Sequence, residues 1–278
     1  MIYLKTAFKI EPQSNPAQPH QLLIEVGWEG ISFVYYEKDP QRIDGLYIYY
    51  FDKNSTGLQL ADELGALFAE QNLPVANDCT ICYNFKEATV VPSAIYEDRM
   101  RTDILDVLFA HNGPVADYAE KLNAPDAFVL YRLDKKVEAV LQQQFPLAKR
   151  LHSNTLLIPA LKESNDLLYC IIYQKSIKVI LYKEAALQII QYFDYTTPAD
   201  VAYHLLNLCS LHEISPAVIK VTLSGFIDTK SNLYDELYRY FLNIQVDESL
   251  KDMELANGVS QYPLHFFSHL ISLVKCVS

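Results

Sequence analysis

From residue 22 the larger apolar residues recur at every second position. Leu22, Ile24, Val26 and Trp28 form one set, and Leu23, Glu25 and Gly27 the other, which is the period-two signature of a β-strand. A hairpin turn is expected at Glu29-Gly30, with glycine supplying the positive φ that a two-residue turn wants. Ile31 to Tyr36 is then the second strand and Gly45-Leu-Tyr-Ile-Tyr-Tyr-Phe51 the third. The period next lengthens to that of a helix: Leu60, Leu64, Leu67 and Phe68 share one stripe, from Ser55-Thr-Gly to a stop before Pro74. Cys79 to Phe85 and Ala88 to Pro92 read as strands, followed by a helix carrying Ile104, Leu105, Leu108 and Phe109. Ala127 to Tyr131 is another strand. Asp134 caps a helix with Val137, Val140, Leu141 and Phe145 inward, ended by Pro146.

The pattern then starts again. After Leu151 to Leu161 and the polar break Lys162-Glu-Ser-Asn-Asp166 come Leu167 to Tyr173, a Gln174-Lys175 turn, Ser176 to Tyr182, and a third strand at Leu187 to Phe193. Thr197-Pro-Ala-Asp200 combines a capping threonine, proline at the first helical position and an acid at the third. Val201, Leu205, Leu206 and Cys209 follow as its stripe. Val218 to Leu223 is a strand ending in a Ser224-Gly225 turn, Leu233, Leu237, Tyr240 and Phe241 mark a helix, and Tyr262-Pro263 opens the last helix. The expected layout is an extended lead-in at 1–20, a first lobe at 21–163 and a second lobe with the C-terminal helix at 164–278.

Composition narrows the functional classes. The 278 residues carry a net charge of −11 and no basic run, so neither a nucleic acid nor an anionic membrane surface is the expected partner. No apolar stretch approaches the roughly 20 residues that span a bilayer, and the N-terminus lacks the features of a signal peptide. Cytoplasmic residence without membrane insertion is therefore expected. Five cysteines do not suggest a disulfide framework. Twenty tyrosines against one tryptophan suit half-buried sheet positions. The set Tyr35, Tyr36, Tyr47, Tyr49, Tyr50 and Phe51 is expected to be core and cross-strand packing, with a binding surface as the alternative.

Three strands, helix, strand, helix, strand, helix, repeated, resembles the α/β architecture of actin-like ATPases, whose two lobes are ribonuclease-H-like. Sugar kinases, heat-shock seventy chaperones and the actin-like proteins of pilus assembly and type II secretion share that layout. Through Gly30-Ile-Ser-Phe33, Val91-Pro92, Leu151-His-Ser153, Phe193-Asp-Tyr-Thr-Thr-Pro-Ala-Asp200 and Leu223-Ser-Gly225, the chain more closely resembles a bacterial domain-of-unknown-function family of the same fold. The resemblance runs over nearly all of the chain after residue 20.

The resemblance implies where a nucleotide site would lie. Active relatives carry Asp-x-Gly and a small hydroxyl residue at the first turn, the Asp organising magnesium and the turn offering N–H groups to phosphates. The matching residues are Glu25-Val-Gly27, with Trp28 where the small residue belongs. The second turn, Tyr173-Gln-Lys-Ser176, has Lys175 and no glycine, and the adenosine turn has Gly225 alone where relatives have a pair. Glu25, Gly27, Lys175 and Gly225 are thus the candidate cofactor-binding positions, in degenerate form. No cofactor is expected, ATP with magnesium being the alternative, and no catalytic or metal-ligating residue is assigned. The expected function is a non-catalytic binding or scaffold module with a protein partner, with homodimerisation through the tyrosine-rich strands or the last helix as a further possibility. The alternative is a nucleotide-binding ATPase or phosphotransferase.

Other groupings have plainer explanations. Cys79 and Cys82 lack a second ligand pair and alternate in a strand. His265 and His269, four apart, read as rim residues of the last helix. His152 and Ser153 are neighbours and do not face each other across a catalytic hydrogen bond.

Overall fold

The computed structural model describes residues 5–12, 20–39, 41–51, 56–71, 73, 76, 78–161, 166–248, 253–256 and 258–277. It divides into two compact units, Met1–Pro159 with Asp252–Tyr262 and Leu273–Ser278, and Ala160–Lys251 with Pro263–Ser272.

In the first unit the chain runs β1 (Lys5–Ile10), β2 (Gln21–Gly27), β3 (Gly30–Lys38), β4 (Gln41–Tyr50), α1 (Gly57–Glu70) and β5 (Asp78–Tyr83). It continues through β6 (Ala88–Pro92), α2 (Arg101–Leu108), β7 (Val115–Leu122), β8 (Ala127–Asp134), α3 (Lys135–Gln144), β9 (Lys149–His152) and α4 (Ser153–Ala160). The main sheet has the order β1-β4-β3-β2-β5-β9. β2, β3 and β4 are antiparallel, whereas β5 and β9 join parallel. The lead-in thus contributes an edge strand, β1, paired with β4. Every residue from Leu22 to Val26 is buried, as a central strand covered on both faces requires. Thr56 and Gln59 complete a capping box on α1, whose Leu60, Ala61, Leu64 and Leu67 are buried; Ser55 and Pro74 lie outside the described residues. Tyr35, Tyr36, Tyr47 and Tyr49 are all buried, so the tyrosine set is core packing and those four rings offer no surface to a partner.

The stretch from Ala88 to Asp134 departs from the expected repeat. β6, β8 and β7 form a separate three-stranded sheet, antiparallel throughout. The parallel strand that completes the main sheet is β9, so α3 rather than α2 is the helix joining β5 to its parallel neighbour. Arg132 of β8 fixes the insert: its guanidinium takes both oxygens of Asp117 on β7 at 2.7 and 2.9 Å and Asp106 of α2 at 2.7 Å.

The second unit repeats the main sheet without the insert. β10 (Leu167–Ile172), β11 (Ser176–Lys183), β12 (Ala186–Asp194), α5 (Pro198–Leu211), β13 (Lys220–Gly225), α6 (Asn232–Tyr238) and β14 (Ile244–Val246) follow in order. The sheet order β12-β11-β10-β13-β14 matches β4-β3-β2-β5-β9 strand for strand, with the same antiparallel and parallel pairings. Thr197 caps α5 with Asp200 and Pro198 in the expected roles. Val201, Leu205 and Cys209 pack with Leu168, Cys170, Val179 and Leu223 in one apolar cluster. A short β15 (Glu254–Leu255) returns to pair with β4. The chain ends in a 3-10 turn at Leu264–Phe266 and α7 (Ser268–Val277).

One turn is built against preference. Glu184 and Ala185 join β11 to β12 with φ of 52° and 59°, a conformation costing roughly 1–2 kcal/mol for a residue with a side chain and suited to Asn-Gly. The double substitution Glu184→Asn, Ala185→Gly is expected to raise stability by about 1–2 kcal/mol. Urea unfolding measures it, and an unchanged or lower midpoint would refute the assignment of strain.

Candidate functional site

The first hairpin tip turns one residue earlier than the sequence suggests. Gly27 pairs with Gly30, so Trp28 and Glu29 form the turn. Gly30 opens β3 without a positive φ. Its glycine is required by crowding, since a Cβ there would lie 2.4 Å from the carbonyl oxygen of Tyr49. Gly27 is crowded likewise, with the Asn84 carbonyl oxygen 2.7 Å from where a Cβ would sit. Trp28 is anchored: its Nε1–H donates to Glu87 Oε2 at 2.8 Å, and the indole meets Phe85 edge-on, centroids 5.2 Å apart. Glu25 is buried, level with Ser32 on β3 and Cys82 on β5.

The second tip is built the same way. The Tyr173 N–H donates to the Ser176 carbonyl at 2.9 Å, closing a turn of Gln174 and Lys175. The Tyr195 N–H donates to the Lys175 carbonyl at 2.9 Å, as the Phe51 N–H does to that of Glu29 at 3.0 Å. Lys175 and Glu29 are therefore counterparts, both half-buried. Sequence reasoning did not match Glu29 with Lys175. Laying Gly27-Trp-Glu-Gly30 on Tyr173-Gln-Lys-Ser176 would have shown it.

Gly225 ends β13 beside Ile172, the last residue of β10. It has a φ of +85°, and a Cβ would lie 2.3 Å from the Ile172 oxygen, while the Phe226 N–H donates to that oxygen at 2.9 Å. Lys175 is three residues past Ile172, so these two candidates share one end of the second unit's sheet. Glu25 and Gly27 share one end of β2.

Around Gly225 lies a buried polar network that the sequence reading did not find. Ser224 Oγ is 2.7 Å from Ser268 Oγ and accepts the His269 N–H at 3.1 Å. Tyr169 donates its hydroxyl proton to Asp247 Oδ2 at 2.6 Å. His265 and His269 are not rim residues of one helix: α7 begins only at Ser268, and both rings are buried. His265 Nε2 bonds the Ile227 carbonyl at 2.8 Å. Burial, with Lys178 nearby, holds the His269 imidazole down at about 3, so it is neutral at physiological pH and stands as a hydrogen-bonding group. These residues pack against the Ser224-Gly225 turn.

The other groupings are structural. His152 Nδ1 accepts from the Asn154 N–H at 3.2 Å and Nε2 bonds the Phe85 carbonyl at 3.0 Å, which commits both ring nitrogens. Ser153 donates to Asn84 Oδ1 at 2.9 Å. Cys79 and Cys82 are both free thiols, and burial pushes Cys79 up to about 12. A shallow groove of about 310 Å³, lined by Thr197, Pro198, Asn232, Asp235, Glu236 and Arg239, carries two acids that disfavour a phosphate.

Residues 11–244 match the sequence pattern of the family described as "Protein of unknown function (DUF3822)". The chain belongs to that family. No curated protein matches it in sequence. Among solved structures it is similar to a Bacteroides thetaiotaomicron protein with an actin-like ATPase fold and unknown function, with a TM-score of 0.75 at 17% identity, covering 94% of this chain and 97% of the other. A structure of the PilM–PilN type IV pilus biogenesis complex gives 0.60 at 10% identity, with 93% and 98% covered. The ethanolamine utilization protein EutJ from Carboxydothermus hydrogenoformans gives 0.51 at 8%, with 96% and 92% covered. At these identities the likeness shows the fold: this DUF3822 member has the actin-like ATPase fold. Among its described residues no helix is long and apolar enough to cross a membrane.

Proposed function

We propose that this DUF3822 member is a binding or scaffold module that uses the actin-like fold without hydrolysing ATP, and that it works in the cytoplasm on a protein partner. The observation that carries the reading is Trp28, held by Glu87 and Phe85 in the turn where active relatives place a small hydroxyl residue. Bulk fixed at that point weighs against the close backbone approach that phosphate binding uses. The crowding of Gly27 and Gly225 supports the same reading, because the fold already accounts for both glycines. That a similar structure is a PilM–PilN complex makes protein binding the natural use for such a fold.

Lys175 favours a second reading, in which the second tip still offers positive charge to a nucleotide. Thermal unfolding with and without millimolar Mg-ATP separates the two. Ligand at a hundred times its dissociation constant would add about 2.7 kcal/mol, a rise of several degrees. No rise is expected. A reproducible rise that Lys175→Glu removes would establish the nucleotide-binding alternative.

A further inference from the structure

Away from both hairpin tips, the first unit contains a cluster that neither the fold nor the proposed function uses. His20, Glu37 and Asp44 each offer one ligand atom, and the three atoms lie within 4.8 Å of one another. His20 is 6% exposed and Asp44 1%. Their facing atoms, Nδ1 and Oδ2, are 3.4 Å apart, and among the described residues neither forms a hydrogen bond although both are sealed from solvent. Burying two such atoms without partners is costly. Arg42 Nη2 donates to the other carboxylate oxygen of Asp44, Oδ1, at 2.9 Å.

The backbone aims these groups deliberately. Tyr35 pairs with Gly45 and Tyr36 with Ile43, so Asp44 is the extra residue of a β-bulge, the device that re-aims a side chain out of strand alternation. Glu37 is next along β3, opposite Arg42. His20 immediately precedes Gln21, which pairs with Tyr36. Three residues far apart in sequence thus meet because two registers and one bulge bring them together, and Tyr35 stands edge-on to the imidazole at 6.2 Å.

We propose that His20, Glu37 and Asp44 form a three-ligand site for a divalent transition ion of the zinc type, with Arg42 orienting Asp44 from behind. One imidazole and two carboxylates suit zinc. At metal–ligand distances of about 2.0–2.1 Å, tetrahedral ligands stand about 3.3–3.4 Å apart, the separation already present between Nδ1 and Oδ2. The ion would neutralise the two orphaned atoms and tie the start of β2 to the β3–β4 bulge. Three protein ligands leave a fourth position for water or for a partner's side chain.

The test uses the full chain, freed of metal by chelation and titrated with zinc chloride by calorimetry and by thermal unfolding. One zinc per chain and a melting temperature raised by several degrees are expected. Glu37→Gln, at a half-exposed position that leaves the core intact, is expected to weaken zinc by about tenfold or more, and His20→Gln to abolish the rise. Magnesium, which avoids imidazole, is expected to give none. Absence of stoichiometric zinc binding, equal affinity in both variants with native circular dichroism, or an equal response to magnesium would each overturn the assignment. His20 and Asp44 would then be a plain buried ion pair.

Discussion

Replacing Arg132 by alanine is expected to cost about 3–5 kcal/mol, the penalty for removing one partner of a buried charge pair. Arg132 is 3% exposed and makes the two-pronged bond to Asp117, so its loss leaves the half-buried Asp117 carboxylate beside an empty space. Urea unfolding reads the effect, and a cost below about 1 kcal/mol would show that water replaces the arginine at little penalty. Arg132→Lys is expected to recover only part of the loss, because an ammonium does not reproduce the planar fork. The same pair sets an acid limit. Burial alone would raise the Asp117 carboxyl, but the hydrogen bonds from Arg132 and Thr102 outweigh it and hold the carboxyl below its ordinary 3.8. A carboxyl depressed in the folded state adds stability above its unfolded value and loses it as pH falls through the folded one. The difference between wild type and Arg132→Ala should therefore be full at neutral pH and shrink below about pH 4.

The second large effect is at Gly225. An added methyl group would stand 2.3 Å from the Ile172 carbonyl oxygen at a φ of +85°, combining left-handed strain of about 1–2 kcal/mol with overpacking of about 1–3 kcal/mol. Gly225→Ala is expected to destabilise the chain by about 2–5 kcal/mol with no nucleotide present. A protein of wild-type stability would return this glycine to a ligand-binding role, because then only an approaching ligand would need the space.

The parts of the fold that could be read from sequence are those whose information is local. The alternation of Leu22 to Val26, the Thr197-Pro-Ala-Asp200 helix start and the Asp134 cap each lie within a few residues, and each stands where the pattern puts it. Two edge strands, β7 and β1, escaped. β7, Val-Ala-Asp-Tyr-Ala-Glu-Lys-Leu, carries three charged residues on a half-buried strand, and β1 mixes exposed and half-buried residues with none buried; neither needs a run of apolar residues. The insert was missed for another reason: β6 and β8 were recognisable as strands, but which sheet a strand joins is decided by partners far along the chain. The site divides in the same way. Trp28 was legible as bulk near the first hairpin turn. Its anchorage by Glu87, 59 residues away, the buried histidines beside Ser224, and the meeting of His20 with Glu37 and Asp44 depend on registers that no window of sequence contains.

The matched hairpin tips have a genetic consequence. At equivalent points of a duplicated frame, held by equivalent backbone bonds, one half carries Glu29 and the other Lys175. Codons for these two residues differ by a single base, and the frame has accommodated both. The tip is thus a position where one point mutation inverts a charge while the main-chain bonds that hold the turn call for no particular side chain. Lineages of such a protein can change what they attract there without refolding anything.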